Sequence, residues 1–513
     1  MPQQNDSVPR IEARKPSVHS IASGQKEKSP TASCTTLETF RTENSLSVQV
    51  EMPVIVYGPK ALCQDVLKGN IPAGQMLGKL QESLLELDPE FGSHSLLSLP
   101  GEREKSESAC LSVIALVTDN FEGFTKPQAP AVRLNAEQWG QLRQLISWAS
   151  PDEETLQAVL VLLAIRSLGK SKRVTQQIPA TAQRPEPALL YLMEHMGNVV
   201  PSMDSLSERS YALIRDALTI HQDFNLAQML QGENVSASVL QLQVLVRKFN
   251  SDVFKFYILF LLGFMSGLAG GEGSRFMNTK NAQSTILGIS CLLHVTDSLP
   301  NAVYWSYIYR RGVQLALPIE SPADLALVRL ACLSRCQDKA GFMDLRTSWD
   351  LLGGREREVL VKHFLADGID DRAYVLEFLP LCVGNARDNR HVTFHVLMEV
   401  LVDLLENMAS ISDELKVISG TQMVVIDLMD LADFIAAVQN RFIFQNCISR
   451  CKLRFADSRA YLQMTGENWS RTTEADTDTT SLAYSVRELL QRQKFLHEML
   501  TGMTSGKSDT LIV

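Results

Sequence analysis

The sequence predicts a mainly α-helical protein: a multi-helix array, either an irregular α-solenoid or an orthogonal helical bundle, behind a disordered N-terminal tail. Apolar residues recur at helical spacing from about residue 130 onward, and Gly, Pro, Asn or Asp separates most of these stripes. No self-similar period of about 33 to 47 residues is present, so no named repeat family is indicated. The chain has 513 residues, of which 45% are hydrophobic, which is enough for two or three domains.

Residues 1–50 are predicted to be a disordered tail. They are rich in Ser, Thr and Lys, and Phe40 is their only aromatic residue, so they cannot bury enough surface to offset the entropy of ordering. Within the tail, Ser17 follows a basic Arg-Lys-Pro stretch and Ser29 precedes a proline. These patterns resemble kinase sites, and regulatory phosphorylation at the two serines is the hypothesis they support.

Residues 51–168 are predicted to form a small N-terminal domain, either mixed α+β or helical. Two β-favouring runs, Val54 to Tyr57 and Leu111 to Val117, suggest a small α+β region. Asn135 and Ser150 each stand three residues before a Gln or Glu, the pattern of a capping box that starts a helix.

The rest of the chain is predicted to be one helical body with polar breaks. Residues 169–187 carry several prolines and basic residues and are predicted to be a linker or long loop. Residues 188–465 form the main helical domain, 466–480 an acidic flexible loop, 481–502 a C-terminal helix and 503–513 a flexible tail. Within the main domain helices are predicted around 187–197, 205–220, 236–248, 253–268, 281–294, 301–316, 322–336, 341–352, 355–366, 371–384, 391–408 and 422–456.

Charge and cysteine usage restrict the partners and the compartment. The 58 acidic residues outnumber the 49 basic ones, for a net charge of −9, which disfavours duplex DNA as a partner. The 9 cysteines are odd in number and scattered, as is typical of reduced thiols. The first 36 residues contain no apolar secretory segment. A cytoplasmic location is therefore expected, with a nuclear or membrane-peripheral one left open.

The uncharged apolar run 256–271 allows two interpretations. Its 16 residues fall just short of the roughly 17 to 25 that span a bilayer. Gly263 and Gly267 have the spacing that lets helices approach closely. A buried central helix is the preferred interpretation, and a membrane-associated segment is the alternative.

The glycines that follow this run are candidates for an anion cradle, because backbone amides without Cβ atoms can converge on an anion. A P-loop has Lys and then Ser or Thr after its last Gly. Here Ser274 and Arg275 follow Gly273, so the P-loop pattern is not matched. No parallel strand or βαβ context is expected around them, which excludes a dinucleotide fingerprint. The alternative is a helix end followed by a turn. The candidate anion residues are Gly270, Gly271, Gly273, Ser274, Arg275 and Lys280.

His391, His395 and Glu399 are one helical turn apart and could offer metal ligands from one face. A zinc protease would have Glu directly after the first His, and Val392 stands there instead. The same three residues lie far from the centre of the apolar stripe of their helix. A solvated helix face is therefore the alternative to a metal site.

The sequence ends in Leu511, Ile512 and Val513, which resemble a PDZ ligand with apolar side chains at alternate positions. The alternative for these residues is a frayed tail.

Three functions are open, and no cofactor is predicted. The first is a non-enzymatic helical scaffold or adaptor that binds protein partners. The second is an enzyme on a helical fold with an anion or metal site, and the third is a membrane-associated protein through residues 256–271. An adaptor should expose an apolar groove, an enzyme should have a polar pocket with convergent titratable groups, and a membrane anchor should turn its apolar run outward.

Overall fold

The fold class predicted from the sequence is confirmed in a computed structural model of the chain, which is mainly helical. The structure describes residues 58–85, 101–171, 176–179, 185–196, 200–336, 338–389, 391–411, 415, 417–418, 420–448, 451–456, 459–463 and 484–485. The predicted tail, the acidic loop 466–480, the segment 503–513, both candidate phosphorylation serines and the PDZ-like terminus lie outside these ranges.

Twenty-one α-helices lie in the described ranges. In chain order they are α1 Pro59–Lys68, α2 Met76–Leu80, α3 Glu102–Val117, α4 Phe121–Thr125, α5 Ala136–Ala149, α6 Glu153–Ile165, α7 Pro185–Met196, α8 Pro201–Asp204, α9 Glu208–Asp223, α10 Leu226–Leu230, α11 Ser236–Lys248, α12 Ser251–Ser266, α13 Thr279–Leu292, α14 Pro300–Gln314, α15 Pro322–Leu333, α16 Lys339–Asp350, α17 Gly354–Leu365, α18 Leu379–Asp388, α19 Phe394–Ser410, α20 Met429–Ala437 and α21 Arg441–Ile448. Most helices predicted between residues 187 and 366 are found within a few residues of their predicted bounds.

Polar side chains fix where several helices begin. Asn135 accepts a hydrogen bond from the amide of Gln138 at 2.8 Å, as the sequence predicted. The next predicted cap is wrong: Asp152, not Ser150, accepts from the amide of Thr155 at 2.8 Å. Ser150 has a φ of 45° and closes the preceding helix instead. A carboxylate is a good acceptor for an amide at a helix N-terminus, so Asp152 takes the cap position.

The apolar run 256–271 starts inside the central helix α12 and continues past the end of that helix at Ser266. Every residue from Phe256 to Gly263 is buried, whereas a membrane anchor would turn this run outward. A Cβ atom on Gly263 would stand 2.4 Å from Leu163, which shows how closely α6 approaches. Within the described ranges, no helix combines the length and apolarity needed to cross a bilayer.

The predicted strand at 111–117 is wrong, because these residues form the second half of α3. The β-favouring Val113 and Ile114 are buried between helices. Small residues on the same helix, Ser108 and Ala109 among them, let α12 pack closely. Tertiary packing therefore overrides the local β preference.

One buried cluster crosses the predicted linker at 169–187. It contains side chains from Leu62 in α1 through Ile165 in α6 to Cys332 in α15. The division of the chain into domains stays a prediction, although this packing joins helices from both sides of the segment.

A five-stranded sheet follows the first seventeen helices, where only helices were predicted. The strands are β1 Ala373–Glu377, β2 Met423–Asp427, β3 Lys452–Ala456, β4 Arg459–Gln463 and β5 Tyr484–Ser485, in the spatial order β1-β2-β4-β3-β5. β1 and β4 pair with β2 in parallel, and β3 pairs antiparallel with β4 and β5. Helices were predicted at 371–384, 422–456 and 481–502, and these predictions are wrong where the strands lie. Of 481–502, only residues 484–485 are described.

Both faces of β1 and β2 are covered, which explains the error. Tyr374 and Ile426 pack in a second buried cluster with α18, α19 and α20. Val375 and Met423 on the opposite face pack against Val235 at the start of α11. A strand buried on both faces shows no alternation of polar and apolar residues, so its pattern resembles that of a buried helix. A βαβ unit is thus formed by β1, α18, α19 and β2, well after the glycines at 270–273.

Candidate functional site

A cavity of about 340 Å³ lies between the sheet and the helical body. We call it the polar cleft. Its floor is the face of β1, β2 and β4 that carries Val375 and Val425, and its walls come from α7, α9, α10 and α11. Its polar lining residues are Glu186, His221, Gln222, Asp223, Asn225, Gln228, Asn234, Ser238, Gln241, Glu377 and Arg459.

Glu377 is the central acid of the polar cleft and is only 8% exposed. Arg459, the first residue of β4, donates from its Nη1 to Oε2 of Glu377. Gln228 of α10 donates from its Nε2 to Oε1 at 3.2 Å. Glu377 ends β1 and lies opposite Asp427, which ends β2. Glu377 thus stands at the carboxyl end of β1, whereas β2 lines the cleft with residues from its amino-terminal part.

Glu233 is a second buried acid close to Glu377. Burial and then the charge of Glu377 raise the pKa of its carboxyl, and Arg335 opposes the rise. The resulting pKa is about 8. Glu233 is therefore mainly protonated at neutral pH. Of the two acids, Glu377 is the one that pairs with Arg459.

His221 forms the wall opposite the sheet and is 7% exposed. Burial is the main cause that lowers the pKa of its imidazole, with Arg166 lowering it further and Glu186 opposing. Its Nδ1 lies 3.4 Å from the hydroxyl of Tyr257, and its ring packs edge-on against Phe260. The ring is therefore neutral and held in place by α12.

The turn that brings Asn234 into the cleft is fixed by a buried arginine. Arg329 of α15 donates to the backbone carbonyls of Gly232 at 2.9 Å and Asn234 at 3.2 Å. Asn234 in turn donates from its Nδ2 to the carbonyl of Asn225 at 3.3 Å. Because a buried guanidinium satisfies several carbonyls at once, this turn is rigid.

None of the cleft residues was predicted from the sequence. They come from segments between residues 186 and 459, and their local spacing carries no motif. Glu377 had the one usable signal, because it is an acid that directly follows a continuous apolar run. That signal indicates a site only once the run is recognised as a parallel strand.

The glycine candidates lie elsewhere, in a turn that packs on α3 and α4. Ser274 is fully buried, donates from its amide to Phe124 at 2.8 Å and from its hydroxyl to Ser266 at 2.9 Å. Of the basic candidates, Arg275 is exposed with its Nη2 beside Gly271, whereas Lys280 lies 3.7 Å from Asp338. Anion binding by Gly270, Gly271 and Gly273 stays a prediction.

The three metal candidates do not share a helix face, which corrects the prediction of a helix from 391. α19 begins at Phe394 because Thr393 caps it, so His391 lies before the helix. His395 and Glu399 are on the helix, with Nε2 and Oε1 3.5 Å apart. In the part of the chain that the structure describes, no group of three or more His, Cys, Asp and Glu side chains could hold a metal ion.

His395 and Glu399 line a different cavity of about 490 Å³ between α17 and α19. We call it the acidic groove, since Glu356, Asp403 and Glu406 also line it. Burial, Glu406 and Glu399 together raise the pKa of Asp403 to about 6.

A third cavity, of about 530 Å³, is mainly apolar. We call it the apolar groove; Leu77 of α2 and Leu111 and Ile114 of α3 line it. The charges at its rim neutralise one another, because Arg133 pairs with Glu122 and Lys126 with Glu272.

Together the fold and the cleft define a helical protein with a mixed sheet appended near its C-terminal end and a polar cavity where the two meet. The chain belongs to a family of unknown function, DUF6829, whose family model matches residues 108–446. The match includes the cleft residues from Glu186 to Glu377 and ends before Arg459. No curated protein and no solved structure is detectably similar to the chain.

Proposed function

We propose that the protein binds a small polar ligand in the polar cleft. The observation that supports this is the convergence of polar side chains that are more than nine-tenths buried on one cavity. His221, Asn234 and Glu377 come from three separate elements and all line it. Burying polar groups costs free energy, so such clusters are concentrated at functional sites.

The alternative role for these groups is structural support of the sheet. Apolar packing already supplies that support, since Val235, Ala237, Val375 and Val425 form a buried cluster beside the cleft. A cavity of about 340 Å³ between the sheet and the helices is of a size that fits a small molecule.

Thermal unfolding of the full chain against a panel of polar metabolites tests the proposal. A ligand at a hundred times its Kd stabilises the folded state by about 2.7 kcal/mol. We expect Glu377→Gln to abolish the stabilisation, whereas Glu406→Gln, which breaks an ion pair with Arg355 outside the cleft, should keep it. Gln228→Met is the second cleft variant if Glu377→Gln does not fold. Equal stabilisation of all variants would contradict the proposal.

A second candidate function is the helical scaffold, supported by the apolar groove. Its rim charges are already paired, so the groove suits an uncharged surface. We propose the apolar face of a partner's amphipathic helix as its occupant.

A displayed library of amphipathic helical peptides tests the scaffold. Selected peptides should bind the wild-type chain and lose at least tenfold in affinity for Leu77→Asp. Gln75→Asp makes a similar charge change at an exposed position outside the groove and should bind normally. Peptides that bind both variants equally would show that the groove is not their site.

A further inference from the structure

Two of the most buried polar side chains of the polar cleft, His221 and Asn234, each keep a hydrogen-bond acceptor without a donor among the described residues. Tyr257 donates its hydroxyl proton to the carbonyl of Phe224 at 2.9 Å. Its oxygen can therefore only accept from His221, so the Nδ1 of His221 carries the proton and Nε2 carries a lone pair. Within the described part of the chain, the hydrogen bond of the His221 ring is made by Nδ1, and Nε2 has no donor.

Two side-chain amides in the cleft are oriented in the same sense, and Asn225 is oriented in the opposite sense, because its Oδ1 accepts from the amide of Ala227 at 2.9 Å. Asn234 uses its Nδ2 on the carbonyl of Asn225, and Gln228 uses its Nε2 on Glu377. Their amide oxygens, Oδ1 and Oε1, are left without a donor among the described residues. Each nitrogen already serves an acceptor of the protein, which fixes the orientation of the amide.

The charge of the cleft also favours a ligand that donates hydrogen bonds and carries a positive charge. Among the described residues that line the cleft, Glu186 and Glu377 supply two carboxylates against the one guanidinium of Arg459. Glu233 adds no charge at neutral pH, because its pKa is raised to about 8. An anionic ligand would meet net negative charge and lone pairs, whereas a cation with N–H groups meets complementary partners. Gln222 and Gln241 at the rim offer both donors and acceptors and favour neither.

We propose that the ligand of the polar cleft is an organic cation that carries N–H donors, an amine or a guanidinium. This inference rests on the proposed function and names its ligand class. The N–H groups bind the Nε2 of His221 and the oxygens of Asn234 and Gln228, and the positive charge faces Glu186 and Glu377. The cation can belong to a free small molecule or to a Lys or Arg side chain of a protein.

Calorimetric titration of the full chain with four matched probes tests the inference. Agmatine supplies a guanidinium and an amine, N-butylurea a neutral analogue, choline a cation without N–H groups, and butyrate an anion. We expect agmatine to bind at least tenfold more tightly than each of the others, and more weakly as salt is raised. A short Arg-containing peptide is titrated separately. If the peptide binds and agmatine does not, the cation belongs to a protein.

Variants of cleft residues test whether agmatine binds in the polar cleft. His221→Phe keeps an aromatic ring but removes Nε2, and we expect it to weaken agmatine binding at least tenfold. His363→Phe is the matched control, because His363 is also buried but lies on α17 outside the cleft. If His221→Phe does not fold, Glu186→Gln at the mouth of the cleft should weaken binding several-fold.

The outcomes separate the inference from the proposed function. If butyrate or a neutral ligand binds best and His221→Phe weakens it, the cleft is a ligand site and the cation inference is overturned. Choline binding as tightly as agmatine also overturns it, because N–H donors then contribute nothing. If no probe and no member of the metabolite panel binds, both proposals fail.

Discussion

Asp403 shows how one residue can lower the stability of this fold. Its carboxyl lies in the acidic groove, where burial and then Glu406 and Glu399 raise its pKa from 3.8 to about 6. The folded state therefore binds this proton more tightly than the unfolded state does. As a consequence, ionised Asp403 opposes folding at every pH above 6.

We expect Asp403→Asn to stabilise the protein at pH 8 by about 1–2 kcal/mol, a value reduced for solvent screening of a partly exposed group. The gain should shrink as the pH falls from 6 and vanish near 3.8, where aspartate is protonated in both states. Urea unfolding at pH 8, 6 and 4 measures it, with the exposed Asp344→Asn as control. A gain that is the same at all three values would contradict this explanation.

His363 titrates in the opposite sense. Burial and then Lys362 lower the pKa of its imidazole to about 4, while Glu406 opposes the shift. The unfolded state therefore binds its proton first, near pH 6.5, so stability falls as the pH drops from 6.5 toward 4. Comparison of wild type and His363→Gln over this range should show a smaller loss in the variant. Parallel curves for the two proteins would exclude His363 as a cause.

At the scale of elements, the central helix α12 meets its neighbours differently at its two glycines. A Cβ on Gly263 would meet the ends of the Leu163 and Val113 side chains, which can move. A Cβ on Gly267, just past the helix, would stand 2.4 Å from the backbone carbonyl of Lys105. The contact at Gly267 therefore fixes the separation of α3 and α12 more strictly.

We expect Gly267→Ala to destabilise the protein by about 2–3 kcal/mol, because backbone must shift. Gly263→Ala should cost less than about 1 kcal/mol, because alanine favours the helix and offsets part of the crowding. Chemical unfolding of both variants measures the difference. A larger loss of stability for Gly263→Ala than for Gly267→Ala would show that Gly263 makes the stricter contact.

Elements also show what the sequence could and could not predict. Helices such as α11 and α12 were predicted closely, since an apolar stripe at helical spacing is a local signal. β1 and β2 were missed because both of their faces are buried. The polar cleft was missed for a related reason: Glu377 and Asn234 meet only after the sheet has packed on the helical body.

At the scale of the whole molecule, Arg329 joins regions that are distant in the chain. It donates to Gly232 and Asn234 on one side and, at 2.7 Å, to the carbonyl of Phe364 at the end of α17 on the other. The turn beside the cleft and the last helix before the sheet are thus fixed by one side chain.

We expect Arg329→Met to lower the free energy of unfolding by about 3 kcal/mol or more, because four buried carbonyls, that of Glu233 among them, lose a charged donor. Ligand binding in the polar cleft should weaken as well, since Asn234 loses its support. Arg335→Met removes an exposed arginine that bonds Gln231 and should change stability by less than about 1 kcal/mol. A small loss for Arg329→Met would mean that the turn is held by other contacts.

The order of strands in the sheet has a consequence for synthesis of the chain. β2 pairs with β4 in parallel, and β4 also carries the guanidinium that neutralises Glu377. Until the ribosome has released residues 459–463, the nascent protein presents β2 as an open edge, with a buried acid lacking its partner. Open edges template aggregation, so premature termination or proteolysis before β4 should yield a chain that depends on chaperones.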